Sequence, residues 1–505
     1  MSDSSHSFFA TSRLSLLVTV LVLFGLSLGI RLYDLTDLPL DFHPTRQLLS
    51  ALKARGMYYQ AGADVPDWQK KMAIQQWKTK AEVEPEVFER LVALTYRFAG
   101  EQLWIARVYS SLFWLIGGVF LFLLVRDLIS IDGAVISTVY YLFFPYAVIA
   151  SRSFQPDPLM VMLIISFWWA VTRWTKKPSW SWTLVAGLLG GLAIYIKFVS
   201  AFFVVGAALG SMLPRYTLRD LVRKAQVWVM ALLGFLPSAS YLLYGMVFHS
   251  FLGQQFNGRF VPSLLVSPIN YIDWAALANM AAGAAAIALG LLGLLVIRDR
   301  NVRIFLIGLW AAYILFGLVF DYHIATHDYY SLPLIPIVAI SLAPVAELMM
   351  RRLGESTKHR GLRLVAYVFL LYGLLSICWD IRGQLKSVDY RPQASMWVEI
   401  GEKLNHGPNV VALTQDYGSR LEYWGWQEVI IWPNSGDIDY HTERGGSFDF
   451  GQRFTNLTRG NAFFLVTDFD ELNRQPDLKK KLADFSVYTE GDGFTIYDLQ
   501  KPLVQ

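Results

Sequence analysis

The sequence predicts a polytopic α-helical membrane protein with a small extracytoplasmic α/β domain at its carboxyl end. Three observations predict this fold class. Of the 505 residues, 54% are hydrophobic and only 17% are charged, which is not the composition of a soluble globular protein. Apolar segments of membrane-spanning length recur as far as residue 381. Beyond it, the chain changes to short strand-like runs that are separated by polar, glycine-rich turns.

The charge of the chain is interpreted as a signal of membrane orientation. The net charge is +4, and membrane proteins concentrate Lys and Arg in their cytoplasmic loops, so we expect no nucleic-acid partner. The single cysteine, Cys378, lies in an apolar run. It therefore provides neither a disulfide framework nor a cysteine-based metal site.

We predict about eleven membrane-spanning helices, because a span needs about 20 predominantly apolar residues. The first, at 14–30, follows Arg13 and has no small-residue cleavage signal, so we expect it to be retained rather than removed as a signal peptide. The others are expected at 103–125, 133–150, 159–171, 182–196, 198–213, 225–248, 274–297, 304–320, 330–350 and 362–379.

The loops alternate in charge, which predicts their sides of the membrane. One set, which includes TRWTKKPSW, PRYTLRDLVRK and RDRNVR, is rich in Lys and Arg and is expected in the cytoplasm. The other set is less basic and is expected outside. It consists of residues 31–102, SRSFQPDP, HSFLGQQFNGRFVPSLLVSPINYID and DYHIATHDYY.

An odd number of spans also places the tail outside. The tail contains the runs NVVALT, EVIIWP, AFFLVTD and FTIYDL, which predict strands, and a helical KKKLADF. We therefore expect a membrane domain at 1–381, with a first outward loop at 31–102, and an extracytoplasmic α/β domain at 382–505. About 120 residues are enough for a domain with its own core.

Polar clusters lie in the segments that are expected near the outer side. They are LDFHPTRQ at 40–47, SRSFQPDPLM at 151–160, YIKFVS around Lys197, and DYHIATHDYYSLPLIP at 321–336. An ionised group in a membrane costs at least ~2.5 to 3.5 kcal/mol on insertion scales, so clustered ionisable groups generally pair with one another or have a functional role. We expect these clusters to line one shared polar cavity.

In the first cluster, Pro44 and Thr45 are typical of a helix start. One interpretation is that Asp41 and Arg46 only cap the helix and pair with each other. The functional interpretation is a carboxylate base, Asp41, beside cationic groups, His43 and Arg46, that hold a phosphate.

The helix that follows is expected to lie along the outer membrane surface. Its apolar residues recur near helical spacing, and its basic residues lie opposite them. The apolar set is Leu48, Leu49, Leu52 and Met57, and the basic set is Arg46, Lys53 and Arg55.

The second cluster contains a QPDP turn whose backbone is fixed by Pro156 and Pro158. Arg152 and Asp157 flank this turn, and they either brace the loop as a pair or act on a ligand. Lys197 interrupts an apolar run without an adjacent acidic residue. This isolation favours anion binding over a snorkelling anchor.

The last cluster places His327, Tyr329 and Tyr330 at the start of a helix. Tyrosines at a membrane interface need no function, but we expect hydrogen bonding or phosphate contact here. His327 with His323 and Asp328 also suggests a divalent cation. No recognised ligand spacing supports a defined site, so no metal ligand is assigned and a divalent cation remains open as a cofactor.

These segments, taken in order, resemble the GT-C-fold glycosyltransferases, and in particular glycosyltransferase family 39, the protein O-mannosyltransferases, and the lipid A aminoarabinose transferases. The resemblance rests on a first helix that runs into a long outward loop with an acidic residue near its start. It rests also on EPEVFERLVALTYRFAGEQLWIARVYSSLFWLIGG, SRSFQPDPLM and HDYYSLPLIP, and it covers roughly residues 14–350. The tail resembles the extracytoplasmic domains that often follow such membrane regions.

The resemblance implies transfer of a sugar from a polyprenyl-phosphate donor on the outer side of a membrane, expected to be a bacterial inner membrane. It also implies that an aspartate of the first outward loop deprotonates the acceptor, which is a protein, lipid or glycan. By position this role falls on Asp41. The acidic pair that the family usually carries soon after the proline is here Thr45 and Arg46, so Asp157 and Asp34 stay open as alternatives.

The chemistry of this reaction matches the residue types. Glycosyl transfer from a phosphate leaving group needs a base for the hydroxyl proton and fixed positive charge where the phosphate departs. Lys197, Arg46, Arg152 and His327 are candidates for that charge, and the tyrosine hydroxyls are candidates for sugar binding. A single base that assists in-line attack predicts inversion at the anomeric carbon.

Two other function classes remain as alternatives. A transporter or flippase of lipid-linked sugars would share the helices, but transporters usually place polar residues at mid-membrane in two related halves. A polymerase or ligase of surface polysaccharide would share the lipid-linked donor. A nucleotide-driven pump is disfavoured, because the sequence contains no Walker A loop.

Overall fold

The computed structural model describes residues 7–80, 84–248, 260–357, 359–443 and 445–503. The chain divides into two compact units. Unit 1 consists of the described residues of Met1–Thr36, Ala81–Phe88 and Trp104–Ser387, and unit 2 consists of those of Asp37–Lys80, Glu89–Leu103 and Val388–Gln505. Most of the long first loop and the tail from Val388 onward thus belong to the same compact unit.

The helices as far as residue 385 are α1 (Arg13–Leu32), α2 (Pro44–Gln60), α3 (Asp67–Thr79), α4 (Val87–Ala99), α5 (Trp104–Leu128), α6 (Ile131–Phe143), α7 (Pro145–Ala150), α8 (Asp157–Lys176), α9 (Trp180–Ile196), α10 (Ala201–Met212), α11 (Leu218–Arg223), α12 (Ala225–Leu243), α13 (Pro268–Ala282), α14 (Ala284–Val296), α15 (Arg300–Val319), α16 (Asp321–Thr326), α17 (Leu334–Ser356) and α18 (Arg360–Leu385). The tail contains α19 (Gln393–Lys403), α20 (Ser419–Trp424), α21 (Ser435–Glu443), α22 (Phe450–Thr458), α23 (Phe469–Arg474) and α24 (Pro476–Leu482), with strands β1 (Val410–Leu413), β2 (Ile430–Ile431), β3 (Phe463–Val466), β4 (Phe485–Gly491) and β5 (Phe494–Pro502).

The described residues contain seven helices that are long and apolar enough to cross a membrane, or eight if the pair of α13 and α14, bent by 89°, is counted as one span. Shorter apolar helices lie at Ile131–Phe143, Trp180–Ile196 and Phe198–Met212. Every predicted apolar segment therefore coincides with a helix or a helix pair. The predicted fold class is confirmed, and the count of about eleven is reached when the shorter helices are included. Residues 249–259 of one predicted outward loop lie outside the described residues.

Local sequence signals explain where several of these helices begin and end. Ser130 and Ser179 cap α6 and α9, where their hydroxyls accept hydrogen bonds from backbone N–H groups of the first turn. Lys197 follows the last residue of α9 in an extended conformation, with φ of −154°. Gly283 separates α13 from α14 with φ of +76°, a conformation that glycine adopts without strain.

Glycines allow close contacts between the membrane helices of unit 1. A Cβ atom on Gly293 of α14 would lie 1.9 Å from the carbonyl oxygen of Ser341 in α17. Likewise, Gly206 of α10 and Gly308 of α15 approach each other so closely that a Cβ on either would lie 2.6 Å from the carbonyl oxygen of the other. Small residues drive helix association in membranes because they let the backbones approach.

The tail of unit 2 forms a five-stranded sheet in the order β2-β1-β3-β5-β4. Strands β1, β2 and β3 are parallel, while β5 is antiparallel to both β3 and β4. Two hydrophobic clusters form around Trp397 and Trp432. Successive residues of a strand belong to different clusters, as Val410 and Val411 do, so one cluster lies on each face of the sheet. The predicted α/β character of the tail is therefore confirmed.

Helix α2 begins at Pro44 as predicted, but the predicted separation of polar and apolar faces is wrong. Lys53 and Arg55 are 4% and 2% exposed, and they are buried together with the apolar residues of the helix. Gly56 explains this burial, because it lets α2 pack against α3 so closely that a Cβ would lie 2.4 Å from the Cβ of Trp77.

Hydrogen bonds offset the cost of burying Arg55. Its guanidinium donates to the backbone carbonyl of Tyr423 at 2.6 Å and to the side-chain oxygen of Gln76 at 2.9 Å. It also lies 3.9 Å from the centre of the Trp426 ring. The first loop and the tail are thus joined inside unit 2 by a buried cation.

We expect Gly293→Ala to destabilise the protein, because the added methyl group would clash with the backbone of α17. Overpacking of this kind typically costs ~1 to 3 kcal/mol, which should lower the midpoint of thermal unfolding in detergent. Gly373→Ala in α18 is the matched control, since a Cβ there meets nothing within 4 Å and Ala favours a helix over Gly by about 1 kcal/mol. Equal midpoints for the two variants would contradict the close packing of α14 on α17.

Candidate functional site

An ion pair joins Lys197 and Asp157 inside unit 1. The Lys197 Nζ lies 2.9 Å from Asp157 Oδ1, and the two side chains are 5% and 1% exposed. Asp157 is the first residue of α8, and Lys197 follows the end of α9. The lysine that looks isolated in the sequence therefore has an acidic partner 40 residues earlier.

Aromatic side chains surround the ammonium group of Lys197. Its Nζ lies 5.0 Å from the ring centres of both Tyr329 and Tyr330, which are buried. The ring of His327 packs at 5.6 Å from Tyr329 and 5.9 Å from Tyr330. The structure thus brings together five of the predicted site residues, Asp157, Lys197, His327, Tyr329 and Tyr330, which we call the Lys197 cluster.

Several buried polar atoms near this cluster in sequence lack a hydrogen-bond partner among the described residues. They include Asp157 Oδ2, the hydroxyl of Ser200, and both Nε2 and Oε1 of Gln155. A buried polar group left without a partner costs about 1 to 3 kcal/mol, so such groups commonly mark a place for water, an ion or a ligand. Gln155 and Ser200 were not predicted, because neither carries a charge, although both lie within three residues of a predicted site residue.

Arg152 is 1% exposed, and its Nη2 donates a hydrogen bond to the backbone carbonyl of Asp34 at 3.1 Å. The ion pair that the structure gives Asp157 is with Lys197, so the Arg152–Asp157 brace stays a prediction. Asp34 itself has φ of +48°, a conformation that costs a non-glycine residue of order 1 kcal/mol or more. Arg152 therefore stabilises the strained end of the first helix.

Asp41, His43 and Arg46 lie in unit 2. Asp41 Oδ1 accepts a hydrogen bond from Gln47 Nε2 at 3.2 Å, and the same amide donates to the carbonyl of Phe42 at 2.7 Å. His43 precedes α2 in a left-handed conformation with φ of +46°, and Arg46 is half-buried in the first turn. Gln47, which sequence analysis did not single out, is fully buried and fixes the segment that carries Asp41.

The tail supplies polar neighbours to Asp41 within unit 2. Burial and the charge of Asp41 raise the pKa of Tyr390, and the charge of Arg420 opposes this rise. Arg420 Nε lies 2.5 Å from Asp416 Oδ2, and Asp416 Oδ1 accepts from the hydroxyl of Thr45 at 3.1 Å. These tail residues lie 349 to 379 positions from Asp41 in the sequence, so no local pattern predicts them.

The described part of the chain contains no group of three or more His, Cys, Asp or Glu side chains that could hold a metal ion. His323 and His327 stack with ring centres 5.4 Å apart, and the Nδ1 of His327 lies 2.8 Å from the hydroxyl of Thr326. Both histidines therefore take part in packing, and His327 also takes part in a side-chain hydrogen bond.

A family model described as dolichyl-phosphate-mannose-protein mannosyltransferase matches residues 83–244 of the chain. Comparison with curated proteins gives no match.

Solved structures match nearly the whole chain. ArnT from Cupriavidus metallidurans bound to undecaprenyl phosphate is 14% identical, with a TM-score of 0.58, over 95% of this chain and 97% of that one. The archaeal oligosaccharyltransferase AglB from Archaeoglobus fulgidus, in complex with an inhibitory peptide and a dolichol-phosphate, is 11% identical, with a TM-score of 0.54, over 96% of this chain and 74% of that one.

These matches confirm the resemblance to GT-C-fold membrane glycosyltransferases. The chain is a multi-pass membrane protein with the GT-C fold, and the comparisons support glycosyl transfer in general terms.

We expect Lys197→Met and Asp157→Asn each to lower the free energy of unfolding by about 3 to 5 kcal/mol, because each leaves a buried charge without its partner. The double variant removes both charges and should be more stable than the sum of the two single effects predicts. Denaturant titration of all variants in detergent measures these effects.

Lys177→Met is the control for this cycle, since Lys177 is exposed and should change the free energy of unfolding by no more than about 0.5 kcal/mol. Strictly additive effects of the two single substitutions would show that Lys197 and Asp157 do not interact.

Proposed function

We propose that the chain is a glycosyltransferase that moves a sugar from a polyprenyl-phosphate donor to an acceptor hydroxyl on the extracytoplasmic face of a bacterial inner membrane. The observation that carries the proposal is the Lys197 cluster, a buried cation with aromatic and polar neighbours inside a membrane unit. The match over 95% of the chain to a structure bound to undecaprenyl phosphate supports a lipid-phosphate donor. The acceptor is a protein, lipid or glycan.

In this proposal the basic residues stabilise the departing phosphate. Lys197 and Arg152 are both buried, and positive charge in a water-poor site stabilises a leaving anion more strongly than it does in water. Asp157 holds the Lys197 ammonium in one position through their ion pair. His43 and Arg46 at the start of α2 are further candidates for phosphate contact.

The aromatic residues of the cluster are assigned to the sugar. The hydroxyls of Tyr329 and Tyr330 and the imidazole of His327 can donate or accept hydrogen bonds to sugar hydroxyls. Both tyrosines are held in place by packing, since Tyr330 stacks on Phe316 with ring centres 5.8 Å apart and Tyr329 packs on Tyr330 with ring centres 5.2 Å apart. Fixed donors lose little conformational freedom when a ligand binds.

Among the three candidate bases, Asp41 is the one that the surroundings favour. Asp157 is 1% exposed and paired with Lys197, so it can neither meet an acceptor readily nor leave its partner without cost. Asp34 occupies a strained turn whose carbonyl is bound by Arg152. Asp41 is only half-buried, so it can meet an acceptor, and its Oδ1 accepts a hydrogen bond from the amide of Gln47.

The reaction then balances without a covalent enzyme intermediate. Asp41 takes the proton of the acceptor hydroxyl, and the acceptor oxygen forms a bond to the anomeric carbon. The bond between that carbon and the phosphate oxygen breaks, and polyprenyl phosphate leaves with the electron pair. One displacement inverts the configuration of the anomeric carbon.

We expect Asp41→Asn to lower the rate of transfer by about 10²- to 10⁴-fold, because the amide cannot act as the base. The assay incubates the purified chain with a set of polyprenyl-phosphate sugars and measures the release of polyprenyl phosphate. NMR of the product should show an inverted anomeric centre.

Asp64→Asn is the matched control, since Asp64 is an exposed aspartate of the same loop, and it should leave the rate unchanged. Full activity of Asp41→Asn would exclude Asp41 as the base. Failure of every donor to release polyprenyl phosphate, together with passage of the intact lipid-linked sugar across a vesicle bilayer, would favour a flippase instead.

A further inference from the structure

An apolar cavity of about 280 Å³ lies among α8, α9, α10, α11 and α12 of unit 1. Its walls consist of aliphatic and aromatic side chains and of glycines, and they include Gly190, Leu209, Leu221 and Phe235. A polar solute gains no hydrogen bonds from such walls, whereas a hydrocarbon chain loses none. The walls therefore indicate a hydrocarbon occupant.

The short helix α11 forms part of this cavity. A capping box between Thr217 and Asp220 fixes its start, and its side chains Leu218, Leu221 and Val222 line the cavity. The indole of Trp228 in α12 donates a hydrogen bond to the carbonyl of Val222 at 2.7 Å. Helix α11 is thereby held with its apolar side chains on the cavity.

The same segment carries an excess of positive charge. Residues 214–224 contain three arginines and one lysine against the single acid Asp220, whose carboxylate accepts from Thr217. Arg215, Arg219 and Arg223 are exposed, and within the described part of the chain they form no ion pair. Basic groups beside a cavity between membrane helices are typical of sites for anionic lipid headgroups.

We propose that this cavity and its basic rim bind one anionic glycerophospholipid. An acyl chain occupies the apolar cavity, and the headgroup phosphate is bound by Arg215, Arg219 and Arg223. A soluble anion would not use the cavity, and a neutral lipid would not use the arginines. The site is separate from the Lys197 cluster and does not depend on the proposed transfer reaction.

The occupant is assigned as a bulk phospholipid rather than as the polyprenyl-phosphate donor. The loop that carries the arginines belongs to the Lys- and Arg-rich set that is expected on the cytoplasmic side. The donor is proposed to react on the opposite face. The two lipids share a phosphate headgroup, so the experiment includes both of them.

Gly234 provides a way to fill the cavity. It lies in the cavity wall, and a Cβ there would meet nothing within 4 Å. Gly234→Leu should therefore place its side chain in the cavity with little strain and exclude an acyl chain. Gly373→Leu in α18 is the matched control, because a Cβ there also meets nothing within 4 Å and this glycine does not line the cavity.

The test is native mass spectrometry of the full chain in detergent, titrated separately with phosphatidylglycerol, phosphatidylcholine and polyprenyl phosphate. We expect one phosphatidylglycerol to bind at least tenfold more tightly than either other lipid. Gly234→Leu, and separately the triple variant Arg215→Gln/Arg219→Gln/Arg223→Gln, should each weaken this binding at least tenfold. Gly373→Leu should leave it unchanged.

Equal affinity for phosphatidylglycerol and phosphatidylcholine would overturn the proposal. So would sensitivity to the arginine variant alone, which would indicate surface attraction without the cavity, or preferential binding of polyprenyl phosphate. If Gly234→Leu does not fold, Gly234→Ala replaces it, and the triple variant changes only exposed side chains. A further expected result is that phosphatidylglycerol raises the thermal midpoint of the unsubstituted chain but not that of the triple variant.

Discussion

The cost of burying charge away from water governs how the helix ends of unit 1 are arranged. Lys197 and Asp157 offset this cost by forming an ion pair, and their pairing fixes the end of α9 against the start of α8. Arg31 of α1 is also fully buried, and it donates to the hydroxyls of Ser27 and Ser151 and to the carbonyl of Leu142. Buried cations thus fix the relative positions of the ends of four membrane segments, which are α1, the pair of α6 and α7, α8 and α9.

Burying charge is also costly in unit 2, where amide and carbonyl groups offset the cost for Arg55. Arg55 is buried, and its Nη1 and Nη2 donate to backbone carbonyls of the tail and to the amide oxygen of Gln76, while its Nε has no hydrogen-bond partner among the described residues. Gln47 performs a comparable task beside Asp41. Amides and carbonyls add no charge of their own, so they position a functional group without neutralising it.

The fold could be predicted from the sequence where the signal is local. The apolar spans and the α/β tail could be predicted because hydropathy and alternation act over short windows, and Pro44 marked the start of α2. Strand β4 was missed because it is a largely exposed edge strand without an apolar run. The partners of Lys197 and Arg55 could not be predicted, since each lies in another part of the chain and pairing across tens or hundreds of residues leaves no periodic pattern.

The surroundings of Asp41 and Asp157 suit these two carboxylates to different roles, the base that takes the acceptor proton and the group that positions Lys197. A carboxylate that accepts a proton must meet its substrate and change charge during the reaction, and a partner that is a fixed cation opposes that change. Asp157 has such a partner in Lys197, whereas Asp41 is only half-buried and can meet a substrate. A carboxylate that orients a lysine benefits from the opposite conditions, burial and a permanent charge partner. Asp157 is therefore better suited to position Lys197, and Asp41 is better suited to take the proton.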